Sequence, residues 1–124
     1  MQTNSKRVVL GSGSPRRLQL LSMLIDESCI EVITPDCDEL SLSEPMSSKD
    51  IDIGLRENVR RKQEAVSDRL SEDTVVICAD TVVVVRESST AFRCLGKPPV
   101  DGWTKTVAEW FAAYYSQDVH WVRT

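Results

Sequence analysis

Leu10-Gly11-Ser12-Gly13-Ser14-Pro15-Arg16-Arg17 joins an apolar run, Val8 to Leu10, to a leucine-rich segment. It reads as strand, tight loop and helix start. Glycine tolerates backbone angles that other residues resist, so Gly11 and Gly13 mark the turn. Ser14 suits an N-cap and Pro15 the first helical position. The N–H groups at such a helix start favour an anion, and Arg16 and Arg17 add fixed positive charge. An ordinary strand-to-helix turn with two solvated arginines accounts for the same residues equally well.

Outward from this loop the chain reads as an alternation of strands and helices. Residues 7–11 form an apolar strand of the kind covered on both faces in a parallel sheet. Residues 15–25 form a helix, with Leu18, Leu21 and Ile25 at helical spacing. A second strand covers 29–34 and stops at Pro35. Asp36-Cys37-Asp38-Glu39 follows, and residues 40–53, rich in Ser, Asp and Pro, read as a loop. A long helix over 54–70 carries the stripe Leu55, Val59, Val66 and Leu70. Lys62 falls on that stripe, so it either reaches to the helix edge or points into a polar site.

Residues 74–79 are the clearest buried strand, and Cys78 reads there as a small buried hydrophobe. Its end delivers Asp80-Thr81. Ligands of open α/β sheets gather at the carboxyl ends of strands. No helix follows Asp80 that it could cap, because Val82 to Val85 continue as strand. Segments 82–87 and 91–95 read as a hairpin, followed by Gly96 and Lys97, a glycine that permits close approach and a lysine able to reach an anion. A third helix over 103–115 presents Val107, Trp110, Phe111 and Tyr114 on one face, and 118–124 is extended, with His120 as a strand residue.

Composition narrows the function classes. With 124 residues, 41% of them hydrophobic and 27% charged, the chain is expected to fold as one domain over 1–124. The net charge of −4 argues against a general polyanion binder, so no nucleic-acid partner is expected. No apolar run is long enough to span a bilayer, and the polar N-terminus does not read as a signal peptide, so no membrane partner is expected. Four cysteines without a CxxC pair and a single histidine make a zinc site an unfavoured reading and suit a reduced, cytoplasmic protein. The acidic run 36–39 is either a solvated loop or a site for a hard divalent cation, which takes oxygen ligands.

Taken in order, LGSGSPRR (10–17), DCDE (36–39), NVRRKQEAV (58–66), VVICADTVVVV (75–85), LGKP (95–98) and HWVRT (120–124) resemble the Maf family of nucleoside triphosphate pyrophosphatases. That family belongs to the fold group of inosine triphosphate pyrophosphatases. The resemblance implies an α/β fold with a mixed sheet flanked by helices. It also implies a divalent metal (Mg²⁺ or Mn²⁺) and hydrolysis of a nucleoside triphosphate to the monophosphate and pyrophosphate.

Carried over by position, Asp80 is the catalytic general base. Ser12, Arg16, Arg17, Lys62, Thr81 and Lys97 bind substrate, with Thr81 helping to set base preference. Glu39, Asp38 and Asp80 are the metal ligands. The Ser-Pro-Arg-Arg and Ala-Asp-Thr forms resemble the branch acting on dTTP and UTP, which implies acceptance of modified pyrimidine nucleotides as well. The resemblance further implies a homodimer, and either house-cleaning of non-standard nucleotides or a link to septum formation and division arrest. The family pattern continues past the position of Thr124, so the sequence reads as a C-terminally truncated, partial domain. The alternative expectation is a catalytically weak nucleotide-binding remnant.

Overall fold

The computed structural model describes residues 7–115 and 119–124. Its elements run β1 (Arg7–Leu10), α1 (Pro15–Ser22), β2 (Ile30–Val32), α2 (Ser48–Val66), β3 (Thr74–Ile77), β4 (Val82–Arg86), β5 (Phe92–Leu95), α3 (Trp103–Trp110) and β6 (Trp121–Arg123). Short 3-10 turns occupy Glu27–Cys29 and Ser67–Arg69, and a π-helical turn, Phe111–Tyr115, extends α3. The expected α/β class holds. Parallel and antiparallel pairing fall into separate three-stranded sheets, ordered β2-β1-β3 and β5-β4-β6.

The chain divides into two compact units. The first comprises residues up to Glu39 together with Glu57–Ala79. In it, β1 pairs in parallel with both β2 and β3, with Leu10 opposite Val32 on one side and Ile77 on the other. Val9, Ile33 and Val66 form its core, with Leu70 and Val76 packed against them. β1 is apolar and buried from Val8 to Leu10 because it is the central strand.

The second unit comprises Leu40–Arg56 and Asp80–Thr124. β4 pairs antiparallel with β5 and β6. Ile51, Leu55, Val84 and Cys94 are its core, flanked by Leu42, Met46, Val82, Phe92 and Trp121. Phe92 and Trp121 meet edge to face at 5.7 Å between ring centroids, and the Arg86 guanidinium lies over both rings.

Several sequence expectations shift. The loop expected over 40–53 is half helix, because α2 begins at Ser48, and Ile51 is fully buried. Ser47 Oγ accepts from the Asp50 N–H, a capping bond hidden within a serine-rich run. The expected end at residue 70 moves back to Val66, where the chain tightens into a 3-10 turn. α1 likewise stops at Ser22 rather than 25. The strands expected over 29–34 and 74–79 contract to Ile30–Val32 and Thr74–Ile77. Cys78 is half-buried rather than buried. His120 lies just before β6, and the start of the extended piece expected at 118 falls outside the described residues, as does the polar stretch 1–6.

Candidate active site

The loop after β1 folds as its residues dictate, with one difference. Ser14 is the N-cap of α1, extended at φ −83 and ψ 116, and its Oγ accepts from the Arg17 N–H at 3.4 Å. Pro15 occupies the first turn. Neither Gly11 nor Gly13 uses positive φ. Gly11 is required by close approach instead: a Cβ there would lie 2.5 Å from Cys78 Sγ, inside contact distance. Ser12 is buried at 4% exposure, and its Oγ accepts from the Ser14 N–H and from Arg17 Nη1, each at 3.1 Å. Arg17 is thereby held against the loop. Arg16 projects from the exposed side of α1.

Lys62 points inward, as its place on the stripe allows. Its side chain is 12% exposed, and Nζ lies 3.1 Å from Glu39 Oε1. The same ammonium donates to the Ala79 carbonyl at 3.1 Å. Glu39 follows β2 and Ala79 follows β3, the two strands that flank β1. In a parallel sheet the carboxyl ends of all strands share one edge. Ser12, Arg17, Glu39, Lys62 and Ala79 therefore gather at one edge of the first unit. The Cys78 thiol reports the same convergence. Burial pushes its pKa up, while the nearby Lys62 ammonium, the Gly11 N–H and Arg17 pull it down.

The acidic run lies beside α2. Asp36, Cys37, Asp38, Arg61, Glu64 and Ala65 line an open hollow of about 350 Å³. Arg61 Nη1 donates to the Asp38 carbonyl at 2.9 Å, and its Nε pairs with Glu57 Oε1 at 3.0 Å. The Arg60 guanidinium first, and that of Arg61 with it, hold the Glu57 carboxyl down to about 2. Arg61 lies off the apolar stripe, so sequence reading passed it over; the signal for it is a glutamate four residues earlier on the same helix face. Asn58, buried at 2% exposure, was also missed.

The second unit carries Asp80, Thr81 and Lys97. Asp80 is half-buried, and its Oδ1 accepts from the Thr81 N–H at 3.0 Å. Thr81 Oγ1 lies 3.1 Å from Thr124 Oγ1. Lys97 is exposed in the segment after β5, and no atom crowds the Gly96 Cβ position, so the expected close approach there is not seen. Among the described residues, no three His, Cys, Asp or Glu side chains converge as a ready metal cage. Also among them, no helix is long and apolar enough to cross a membrane.

A profile of the family described as Maf-like protein matches residues 7–112. The chain belongs to this family. Its curated relatives include the dTTP/UTP pyrophosphatase of Clostridium novyi (strain NT), 34% identical over 74% of this chain and 43% of that protein. The dTTP/UTP pyrophosphatase of Thermoanaerobacter sp. (strain X514) is 37% identical over 74% of this chain and 42% of its own length. That of Thermotoga petrophila is 37% identical over 87% of this chain and 50% of its own length. The Maf-like chain thus spans half or less of the length of these relatives. No solved structure matches it.

Proposed function

We propose that this Maf-like chain carries the nucleotide-handling residues of a nucleoside triphosphate pyrophosphatase acting on dTTP and UTP. The names of its relatives support that substrate class. The observation that carries the reading is the inward, paired Lys62 at the strand-end edge that also holds Ser12 and Arg17. A lysine held at 12% exposure against a carboxylate and a carbonyl is a costly feature for a surface helix, and phosphate binding explains its retention.

In the proposed reaction Asp80 takes a proton from water as that water attacks the α-phosphorus. The bond from the α-phosphorus to the α–β bridging oxygen breaks, leaving the monophosphate and pyrophosphate. Arg16, Arg17, Lys62 and Lys97 offset the charge that collects on the phosphates, and the Ser12 hydroxyl steadies Arg17. Thr81 meets the nucleoside.

The oxygen-only donor set of Asp38 and Glu39 fits a hard divalent cation. Mg²⁺ commonly takes one or two carboxylates and completes its shell with water and substrate phosphates. Asp38 and Glu39 would hold it, with Asp80 the further candidate ligand. When bound, the cation neutralises phosphate charge. The four free thiols support a reducing, cytoplasmic setting. A homodimer is part of the same proposal by family likeness.

The test is release of pyrophosphate from dTTP and UTP by the purified chain with Mg²⁺ or Mn²⁺. Release that disappears in Asp80→Asn supports the reading. Absence of release from the wild-type chain sinks it, and nucleotide binding without release would identify a binding module instead.

A further inference from the structure

Cys37 follows β2 and Cys78 follows β3, the strands on either side of β1. Cys78 leans over β1. Its Sγ lies 2.5 Å from where a Cβ on Gly11 would stand, and Val66 Cγ2 of α2 is 3.8 Å from the same point. Cys37 lies under the same stretch of α2, lining the hollow with Arg61, Glu64 and Ala65, the last of these next to Val66. Lys62 closes the span between the two. Its ammonium reaches Glu39 Oε1, just past Cys37, and the Ala79 carbonyl, just past Cys78, each at 3.1 Å. Cys37 is also close enough for a charge on it to act on the Cys78 thiol.

Strands two apart in a sheet are separated by about 10 Å, too far for a disulfide, whose Cα atoms stand about 4.4–6.8 Å apart. Cys37 is outside that limit because β2 has ended at Val32, and the segment beyond it is drawn back toward β3 through Glu39 and Lys62. The side-chain space that Gly11 leaves open admits the Cys78 sulfur over the central strand. Cys29 lies before β2, at the opposite edge of the sheet, and Cys94 is buried in the core of the second unit, so neither competes.

We propose that Cys37 and Cys78 are a redox-sensitive pair that hydrogen peroxide converts to a disulfide at the carboxyl edge of the parallel sheet. Cys37 borders the open hollow, so its sulfur meets the oxidant first. That sulfur attacks one peroxide oxygen, the O–O bond breaks, and the thiol proton leaves with the other oxygen as water. Cys37 becomes a sulfenic acid, oxidised by two electrons as the peroxide is reduced. The Cys78 sulfur then attacks the Cys37 sulfur, the S–O bond breaks, and hydroxide leaves with the Cys78 proton as a second water. In a reducing compartment such a bond is transient and signal-responsive rather than structural. The pairing does not depend on the pyrophosphatase reading.

The experiment treats the freshly reduced full chain, at high dilution, with hydrogen peroxide and reads intact mass and non-reduced peptide maps. The mass should fall by two hydrogens, the map should show a Cys37–Cys78 crosslink within one chain, and dithiothreitol should reverse both. Cys37→Ser should lose the crosslink. Cys78→Ser should instead stop at a Cys37 sulfenic acid that dimedone traps. Circular dichroism serves as the folding control, and if Cys78→Ser does not fold, the wild-type map and Cys37→Ser decide. In urea the selectivity should vanish, because pairing then follows chain statistics. A crosslink through Cys29 or Cys94, one between chains, or Cys37 carried on to sulfinic acid without a crosslink overturns the proposal. So do thiols that all stay free, or the same single pairing in urea.

Discussion

Lys62 Nζ pairs with Glu39 Oε1 at 3.1 Å and also donates to the Ala79 carbonyl. One ammonium therefore ties the segment after β2 to the segment after β3, on either side of β1. Replacing it tests structure and binding together. Lys62→Met keeps the aliphatic stem against the apolar stripe and removes the charge. Glu39 is partly solvated, with its side chain 44% exposed, so its loss of a partner costs little. The unmade bond to Ala79 sets the larger share, and together they amount to about 1–2 kcal/mol. Thermal melting should register a fall of a few degrees. Calorimetric binding of dTTP should weaken at least tenfold. Unchanged affinity would remove Lys62 from the phosphate-binding set.

Asp80→Asn separates chemistry from fold. The Asn side-chain carbonyl still accepts from the Thr81 N–H, as Asp80 Oδ1 does at 3.0 Å. That turn bond should therefore survive the substitution, and the chain should still fold. General-base catalysis typically contributes two to four orders of magnitude, so pyrophosphate release should fall by roughly 10²–10⁴-fold. A variant that melts well below the wild-type chain would make Asp80 a structural turn residue first.

Much of this arrangement was legible in the sequence, for reasons that differ by residue. Ser14 and Pro15 announce the start of α1 by local chemistry alone, and the capping bond is present. Lys62 was legible because helical periodicity placed a cation on an apolar face. The start of α2 was not, since Ser, Asp and Pro are common both in loops and in helix caps, and only the burial of Ile51 separates the two. The purpose of Gly11 was also hidden. Its demand comes from Cys78, 67 positions away in sequence yet beside it through the β1–β3 pairing. The division of the strands into one parallel and one antiparallel sheet depends on pairings that no local pattern encodes.

Gly11 gives a test of that long-range packing. A Cβ added there would lie 2.5 Å from Cys78 Sγ, with the Ile77 carbonyl oxygen and Val66 Cγ2 each at 3.8 Å. Gly11→Ala should destabilise the chain by about 1–3 kcal/mol, as overpacking does. Removing the sulfur relieves the clash, so Gly11→Ala combined with Cys78→Ala should recover most of the loss. The double-mutant cycle, read by urea unfolding, should give a clear coupling energy. Simple additivity would show that Gly11 is kept for another reason.

The last test concerns pH. The Arg60 guanidinium bonds Glu57 through Nε at 2.9 Å and Nη2 at 2.7 Å, and Arg61 Nε adds a bond at 3.0 Å. These bonds lower the Glu57 pKa from 4.5 to about 2, with Arg60 the larger cause. A carboxyl depressed in the folded chain stabilises it fully above its unfolded pKa, and that contribution fades as pH falls through the folded value. Glu57→Gln should therefore melt below the wild-type chain by a constant margin from pH 7 to about pH 5. The margin should narrow steadily below that and close near pH 2. Because the cluster is solvent-exposed, the margin should be small and should shrink further in high salt. A deficit that persists at pH 2 would place the effect in the packing of Arg61 against the Asp38 carbonyl rather than in the charge on Glu57.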